Sequence, residues 1–286
     1  MVARPMHRQA RSAPWALRFA ALPIPLIVLA ALLHRWAVID VEPMFVALAL
    51  AWLLAAAALL LAGLALHSIW VDGDAGLGPA LLAVLLAVVA LALPAASVFE
   101  MFRLPRIADL TTDGTDPPLF TTAPEVVTMR PVPGERAVAA QEAAYPDLLP
   151  HHYDQSPERI FEAVDAIVAG RGWRVTDRRA PDADNEVGWI EAEGATLLFS
   201  LPVDIVIRVI ADDSGSLVDI RSASRYGRHD LGDNAARIRE FFAALDQAMQ
   251  GVVETGGGGG DDEAAPEAAA PDDLPPLPVP SPVNGR

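Results

Sequence analysis

Residues 44–66 read MFVALALAWLLAAAALLLAGLAL, twenty-three in succession without an ionisable side chain. At about 1.5 Å per residue, a helix of this length extends roughly 35 Å, enough to cross a hydrocarbon core of about 30 Å with some tilt. A second charge-free run occupies residues 80–99, with Pro94 near its end. Such a proline is tolerated in a membrane helix because neighbouring groups re-satisfy the freed carbonyl. Residues 15–33 form a third apolar run that carries Arg18, Pro23 and Pro25. Its core at 26–33 resembles the apolar part of a signal peptide. His34, Arg35 and Trp36 follow directly, with no small-residue cleavage site, so we read an uncleaved anchor.

Charge sets the expected orientation. Arg4, Arg8, Arg11 and Arg18 precede or open the first span, and no acidic residue appears before Asp40. The positive-inside rule keeps that end in the cytoplasm, and three crossings then deliver residue 103 onward to the far side. Arg103 and Arg106, with Asp72 and Asp74 in the expected inner loop, pull the other way. We let the first helix decide.

Composition excludes several function classes. Net charge is −16, and all 21 basic side chains are Arg. Nucleic-acid binding needs a basic footprint to displace counterions from phosphates, so no nucleic-acid partner is expected. The absence of Cys removes disulfides, thiolate metal sites and cysteine nucleophiles.

Beyond the membrane, residues 103–118 (RLPRIADLTTDGTDPP) read as a juxtamembrane strap, and residues 121–150 as an irregular connection with room for a short helix at 135–144. A folded domain is expected over residues 145–251. Ser156, Pro157 and Glu158 suit a helix start, and Ile160, Phe161, Val164, Ile167 and Val168 recur at helical spacing up to Gly170 or Gly172. Strands are expected at 173–177, 187–193, 195–200, 204–211 and 217–225, broken by turn residues. An amphipathic helix at about 233–250, burying Ile238, Phe242, Leu245 and Met249, closes the domain. Short connections imply antiparallel pairing. The expected fold is therefore α+β: three N-terminal transmembrane helices, then a small extracytoplasmic domain with two main helices on one face of an antiparallel sheet, the other face left partly open. Residues 1–102 form the anchor, 103–144 the strap and connection, and 252–286 an acidic tail with five consecutive glycines and seven prolines, which reads as disordered.

The stretch 222–238, SASRYGRHDLGDNAARI, resembles the signature of domain-of-unknown-function family 1499. Ser224, Arg225, Gly227, Asp230, Gly232, Asn234, Arg237 and Ile238 match the pattern that links the last strand to the last helix in that family. Arg103, Pro105, Arg106, Asp109 and the run Thr111, Thr112, Asp113 agree as well, as do Tyr145-Pro146 and Gly172-Trp173. The resemblance implies a membrane-tethered, extracytoplasmic domain of bacterial type and brings no catalytic assignment.

Read physically, the same stretch is the leading site candidate. Arg225, Arg228, Arg237 and Arg239 surround a turn with Gly227 and Gly232 that feeds a helix N-terminus. Arg225, Asp230, Asn234 and Arg237 are the candidate anion-site residues, and Arg208 and Arg221 extend the patch along a polar sheet face. Guanidinium forks and a helix dipole together favour a carboxylate or phosphate guest. The alternative is that these arginines pair internally with acidic neighbours. No cofactor or metal is expected: His151, His152 and Asp154 lack further ligands at a recognisable spacing and read as a surface loop, and Glu191 and Glu193 as two exposed glutamates. Trp173, Trp189 and Phe199 read as core. Three functions remain: an envelope module binding an anionic small molecule, lipid headgroup or envelope protein; an envelope hydrolase; or a scaffold without a ligand site.

Overall fold

The computed structural model describes residues 8–122, 132–182, 186–229 and 231–256. The acidic tail beyond residue 256 and Asp230 lie outside the described residues. The first apolar run forms two helices, α1 (Ala13–Ala21) and α2 (Pro23–Arg35), that share the break at Leu22. Pro23 explains the break, since it lacks an amide proton and its ring crowds the preceding turn. The other runs become α3 (Val41–Asp72) and α4 (Leu77–Arg103). Three helical segments, 13–35, 41–72 and 77–103, are thus long and apolar enough to cross a membrane.

Small side chains hold the bundle together. Ala16, Ala20, Ala55, Ala58, Ala62, Ala83, Ala87 and Ala90 are buried against one another, at three- and four-residue spacing along α3 and α4. In a bilayer the lipid is as apolar as leucine, so close backbone approach, rather than hydrophobicity, drives helix association. At one end of the bundle the N-terminal segment meets the α3–α4 turn: the Ala75 amide donates to Arg8 O at 2.8 Å and the Ala10 amide to Ala75 O at 2.9 Å. Gly76 makes that approach feasible, because a Cβ there would sit 3.3 Å from the Ala13 Cβ and its φ is +127°. The α2–α3 turn and the end of α4 lie at the other end, beside the domain.

The domain is an antiparallel sheet with two main helices on one face. In chain order its elements are β1 (Asp109–Thr111), α5 (Glu135–Ala144), β2 (His151–Tyr153), α6 (Pro157–Gly170), β3 (Arg174–Arg179), β4 (Val187–Ala195), β5 (Pro202–Asp212), β6 (Gly215–Ser224) and α7 (Asp233–Gly256). The strand order is β1-β6-β5-β4-β3, with β2 also pairing β6, so β1 and β2 lie end to end along one edge. Ile205, Ile207 and Val209 of β5 and Val218 and Ile220 of β6 face Ile160, Val164, Ile238, Phe241 and Leu245 of α6 and α7 in one core. Ser156 stands at the N-cap of α6, but its hydroxyl makes no capping bond and instead hydrogen-bonds the Glu158 carboxylate, lowering that carboxyl from its ordinary value.

Several expectations are corrected. The strap and the His151–His152 loop each contain a three-residue strand, too short to show a period of two. Residues 195–200 form no separate strand: Ala195 ends β4 and 196–200 make a turn. The far face of the sheet is not open, because the strap crosses it. Buried Glu191 accepts hydrogen bonds from the Thr121 amide and hydroxyl, both at 2.9 Å, and from the Thr122 amide at 3.1 Å. Glu191 is therefore a clamp and not an exposed glutamate. At the β1 edge, Gln141 of α5 stands in for a further strand: Thr111 N donates to its Oε1 at 3.1 Å, and its Nε2 donates to Thr111 O at 2.5 Å.

Candidate functional site

The signature stretch builds a joint between the sheet, α7 and the membrane helix. Asn234, fully buried, donates from Nδ2 to Ala108 O and to Ser224 Oγ, both at 3.1 Å. Its Oδ1 accepts from Ser222 Oγ at 2.9 Å and from Arg237 Nη1 at 2.8 Å. Arg237 also donates from Nη2 to Asp233 at 2.7 Å. The strap, the end of β6 and the first turn of α7 are thereby tied by one amide side chain. His229 extends the joint toward α4: the Leu231 amide donates to its Nδ1 at 3.1 Å, and its Nε2 lies 3.1 Å from Leu104 O, just past the end of α4. With Nδ1 accepting, Nε2 is the ring nitrogen that can donate to Leu104 O. Gly232, at φ +86°, packs under Leu104, whose Cδ1 would lie 3.1 Å from an added Cβ.

Of the candidate anion-site residues, Asp230 lies outside the described residues, and the other five do not converge. Arg208 and Arg221 lie on the strap face of the sheet, and Asn234 and Arg237 on the helix face. Arg208 donates to Asp219 at 2.8 and 3.0 Å, to Asp116 at 2.8 Å and to Asp113 at 3.2 Å. Arg221, fully buried, chelates Asp109 at 2.9 and 2.8 Å with Phe120 stacked over its guanidinium at 4.8 Å. Arg225 pairs with Asp204 at 2.6 and 2.8 Å and with Glu193 at 3.2 Å. Burial alone would lower its pKa, and the two carboxylates outweigh that, leaving it above its ordinary value. For the Arg208–Asp219 pair the two ends differ: Arg208 is raised, its acidic partners outweighing burial, whereas Asp219 is raised by burial against the pull of Arg208. We take the pair as ionised, because Arg208 sends two hydrogen bonds to one Asp219 oxygen.

The other candidates also take structural places. His151 stacks on Phe242 at 3.8 Å, and among the described residues no group of three or more His, Asp or Glu side chains is gathered as a metal site requires. Trp173 packs against the domain core, Trp189 lies on the strap face, and Phe199 packs instead on Met44 and Leu48 of the membrane bundle.

What the signature residues do line is a cavity of about 470 Å³ at the junction with the membrane helices. Leu93 and Ser97 of α4 form one wall, Leu198, Phe199 and Leu201 a second, and Tyr226, His229, Leu231 and Ala236 a third. Pro94 removes an amide from α4 beside this wall, and Ser97 Oγ bonds Leu93 O at 3.0 Å. The turn at 196–200 thus has a role that strand patterning concealed. Phe199 and Leu201 dock on α2 and α3, while Leu197 and Leu198 remain 82% and 60% exposed. Its one legible signal is the run Leu197, Leu198, Phe199 beside a turn. Volume, apolar walls and a few polar groups are the ordinary features of a small-ligand site.

No curated protein and no solved structure matches this chain. Residues 109–245, from the edge strand β1 through most of α7, match the family model described as "Protein of unknown function (DUF1499)", and this part of the chain is a DUF1499 domain.

Proposed function

We propose that the chain is an integral protein of the bacterial inner membrane, with a cytoplasmic N-terminus and a DUF1499 domain that binds a ligand on the envelope side. The arginines at positions 4, 8, 11 and 18 support the orientation, and so does the contact of residues 8–10 with the α3–α4 turn, at the bundle end away from the domain. The observation that carries the binding role is the junction cavity, walled by the family signature on one side and by a membrane helix on the other. Its ligand is amphiphilic, since the walls are apolar and Ser97, Tyr226, His229 and Asp233 border them. The signature arginines serve this site indirectly, by holding its walls in place through internal ion pairs.

A thermal-shift series on the purified full chain tests the proposal, using single-chain and two-chain amphiphiles as probes. Stabilisation that disappears in Ala236→Trp, which fills the cavity, supports it. Equal stabilisation of the variant and the parent protein removes the junction cavity as the site.

A further inference from the structure

On the other side of the 196–200 turn lies a second cavity, of about 380 Å³ and of different character. Three guanidinium groups line it: Arg35 from the end of α2, and Arg171 and Arg174 from the segment after α6. Arg35 Nη1 donates to Leu197 O at 3.2 Å, which ties the membrane bundle to the turn. Arg171 lies over the Trp173 ring at 5.4 Å and reaches Glu240 at 3.4 Å, and Arg174 pairs with Glu193. The three cations therefore face two carboxylates, Glu240 at the edge of the cleft and Glu193, which a further guanidinium, Arg225, already engages.

The height of this cleft relative to a bilayer follows from its neighbours. Arg35 ends an apolar span, and the next residue, Trp36, is 66% exposed. Phe102, at the matching end of α4, is 87% exposed. Aromatic side chains at the ends of apolar helices mark the headgroup level. The exposed Leu197 and Leu198 belong to the same zone, and Thr196 and Leu197 wall both cavities. A basic cleft at headgroup height therefore adjoins an apolar cavity that opens beside a lipid-facing helix.

We propose that the two cavities together form one site for an anionic glycerophospholipid drawn from the surrounding bilayer. Its phosphate occupies the cleft of Arg35, Arg171 and Arg174, and an acyl chain passes over Leu197 and Leu198 to lie against Leu93 and Ala236. Guanidinium forks match phosphate oxygens, and the chain replaces bilayer contacts with equivalent apolar ones. This assignment rests on the reading of the junction cavity as a ligand site.

Native mass spectrometry of the detergent-solubilised full chain, offered phosphatidylglycerol and phosphatidylcholine in equal amounts, tests it. With basic side chains near a membrane surface contributing about 1 kcal/mol each, the protein should retain phosphatidylglycerol at least about tenfold over phosphatidylcholine. Arg171→Gln with Arg174→Gln, the first half-buried and the second exposed, should cut that preference at least about tenfold while bound lipid persists. Ala236→Trp should lose both lipids. The anionic assignment is overturned by the absence of a preference in the parent protein, by its survival in the double variant, or by equal competition from inorganic phosphate. If the double variant loses the preference while Ala236→Trp binds as the parent does, the cleft takes headgroups without the cavity, and the single-site proposal fails with the junction reading. Loss of lipid in Ala236→Trp without any headgroup preference sinks the anionic assignment alone.

Discussion

Replacing Asn234 with Ala tests whether the signature is a structural joint or a set of groups held ready for a ligand. The change deletes two donated and two accepted hydrogen bonds at a fully buried position. A typical net contribution is about 1 kcal/mol per bond, rising when a partner is charged, and stranded buried groups add their own desolvation cost. Ala108 O, the Ser222 hydroxyl and Arg237 Nη1 would each lose a partner. Allowing for partial re-pairing, the loss comes to about 3–5 kcal/mol. For a domain of this size each kcal/mol lowers the midpoint by about 3–4 °C, so a fall of about 10–15 °C is expected. The assay is thermal unfolding of the full chain in detergent, followed by intrinsic fluorescence and by amide exchange in β6. Asn234→Asp keeps the oxygen that accepts from Ser222 and Arg237 but turns a second acceptor toward Ala108 O, so it too should fall well below the parent. A midpoint within about 3 °C of the parent for Asn234→Ala would refute the joint and return the signature residues to the pool of ligand contacts.

Other consequences are equally open to measurement. Glu191→Ala removes the clamp on the strap, and amide exchange at Thr121 and Thr122 should accelerate about a hundredfold, equivalent to about 3 kcal/mol of lost local stability. Tyr153 donates its phenol proton to Asp246 at 2.7 Å, and burial first, then that carboxylate, raise its pKa above the ordinary 10.0. Its contribution to stability is fully present below that ordinary value and is lost as pH rises above it, so Tyr153→Phe should flatten the alkaline limb of the stability profile while the parent declines. The chain has no Cys, so single cysteines placed at Ser12 and Ser214 report topology directly. A membrane-impermeant thiol reagent added to spheroplasts should label Ser214→Cys and spare Ser12→Cys, and the reverse pattern would invert the orientation.

The membrane helices and the main elements of the domain were legible because each carries a period or an uninterrupted apolar run. Residues 44–66 lie within α3 and residues 80–99 within α4, and the spacing from Ile160 to Val168 marks α6. Strands β1 and β2 were not legible, since three residues cannot establish an alternation, and both exist only because β6 offers its edge. Residues 195–200 misled for a different reason. Their apolar side chains answer to the membrane bundle and its surroundings rather than to a sheet, and local pattern does not say which partner an apolar run serves.

The candidate site shows the same division. The sequence displays a dense run of arginines around 221–239, and the Arg237–Asp233 pair is visible at helical spacing. The remaining partners are remote in the chain, Asp109 for Arg221 and Asp113 and Asp116 for Arg208, and only the fold brings them together. Arginines that look available in one dimension are therefore engaged in three. The junction cavity was illegible altogether, because its walls come from α4, the turn before β5 and the start of α7.

The central claim, that an amphiphile occupies the junction between the DUF1499 domain and α4, is tested most directly by photo-crosslinking. The full chain would be embedded in bilayers containing a diacyl glycerophospholipid with a photoreactive chain, and the adducts mapped by mass spectrometry. Adducts concentrated at Leu93, Ser97, Leu198 and Ala236, and abolished there by Ala236→Trp, are the predicted result. Adducts spread only over the outward-facing helix residues Leu53, Leu64 and Leu85, with none at the junction, would contradict it.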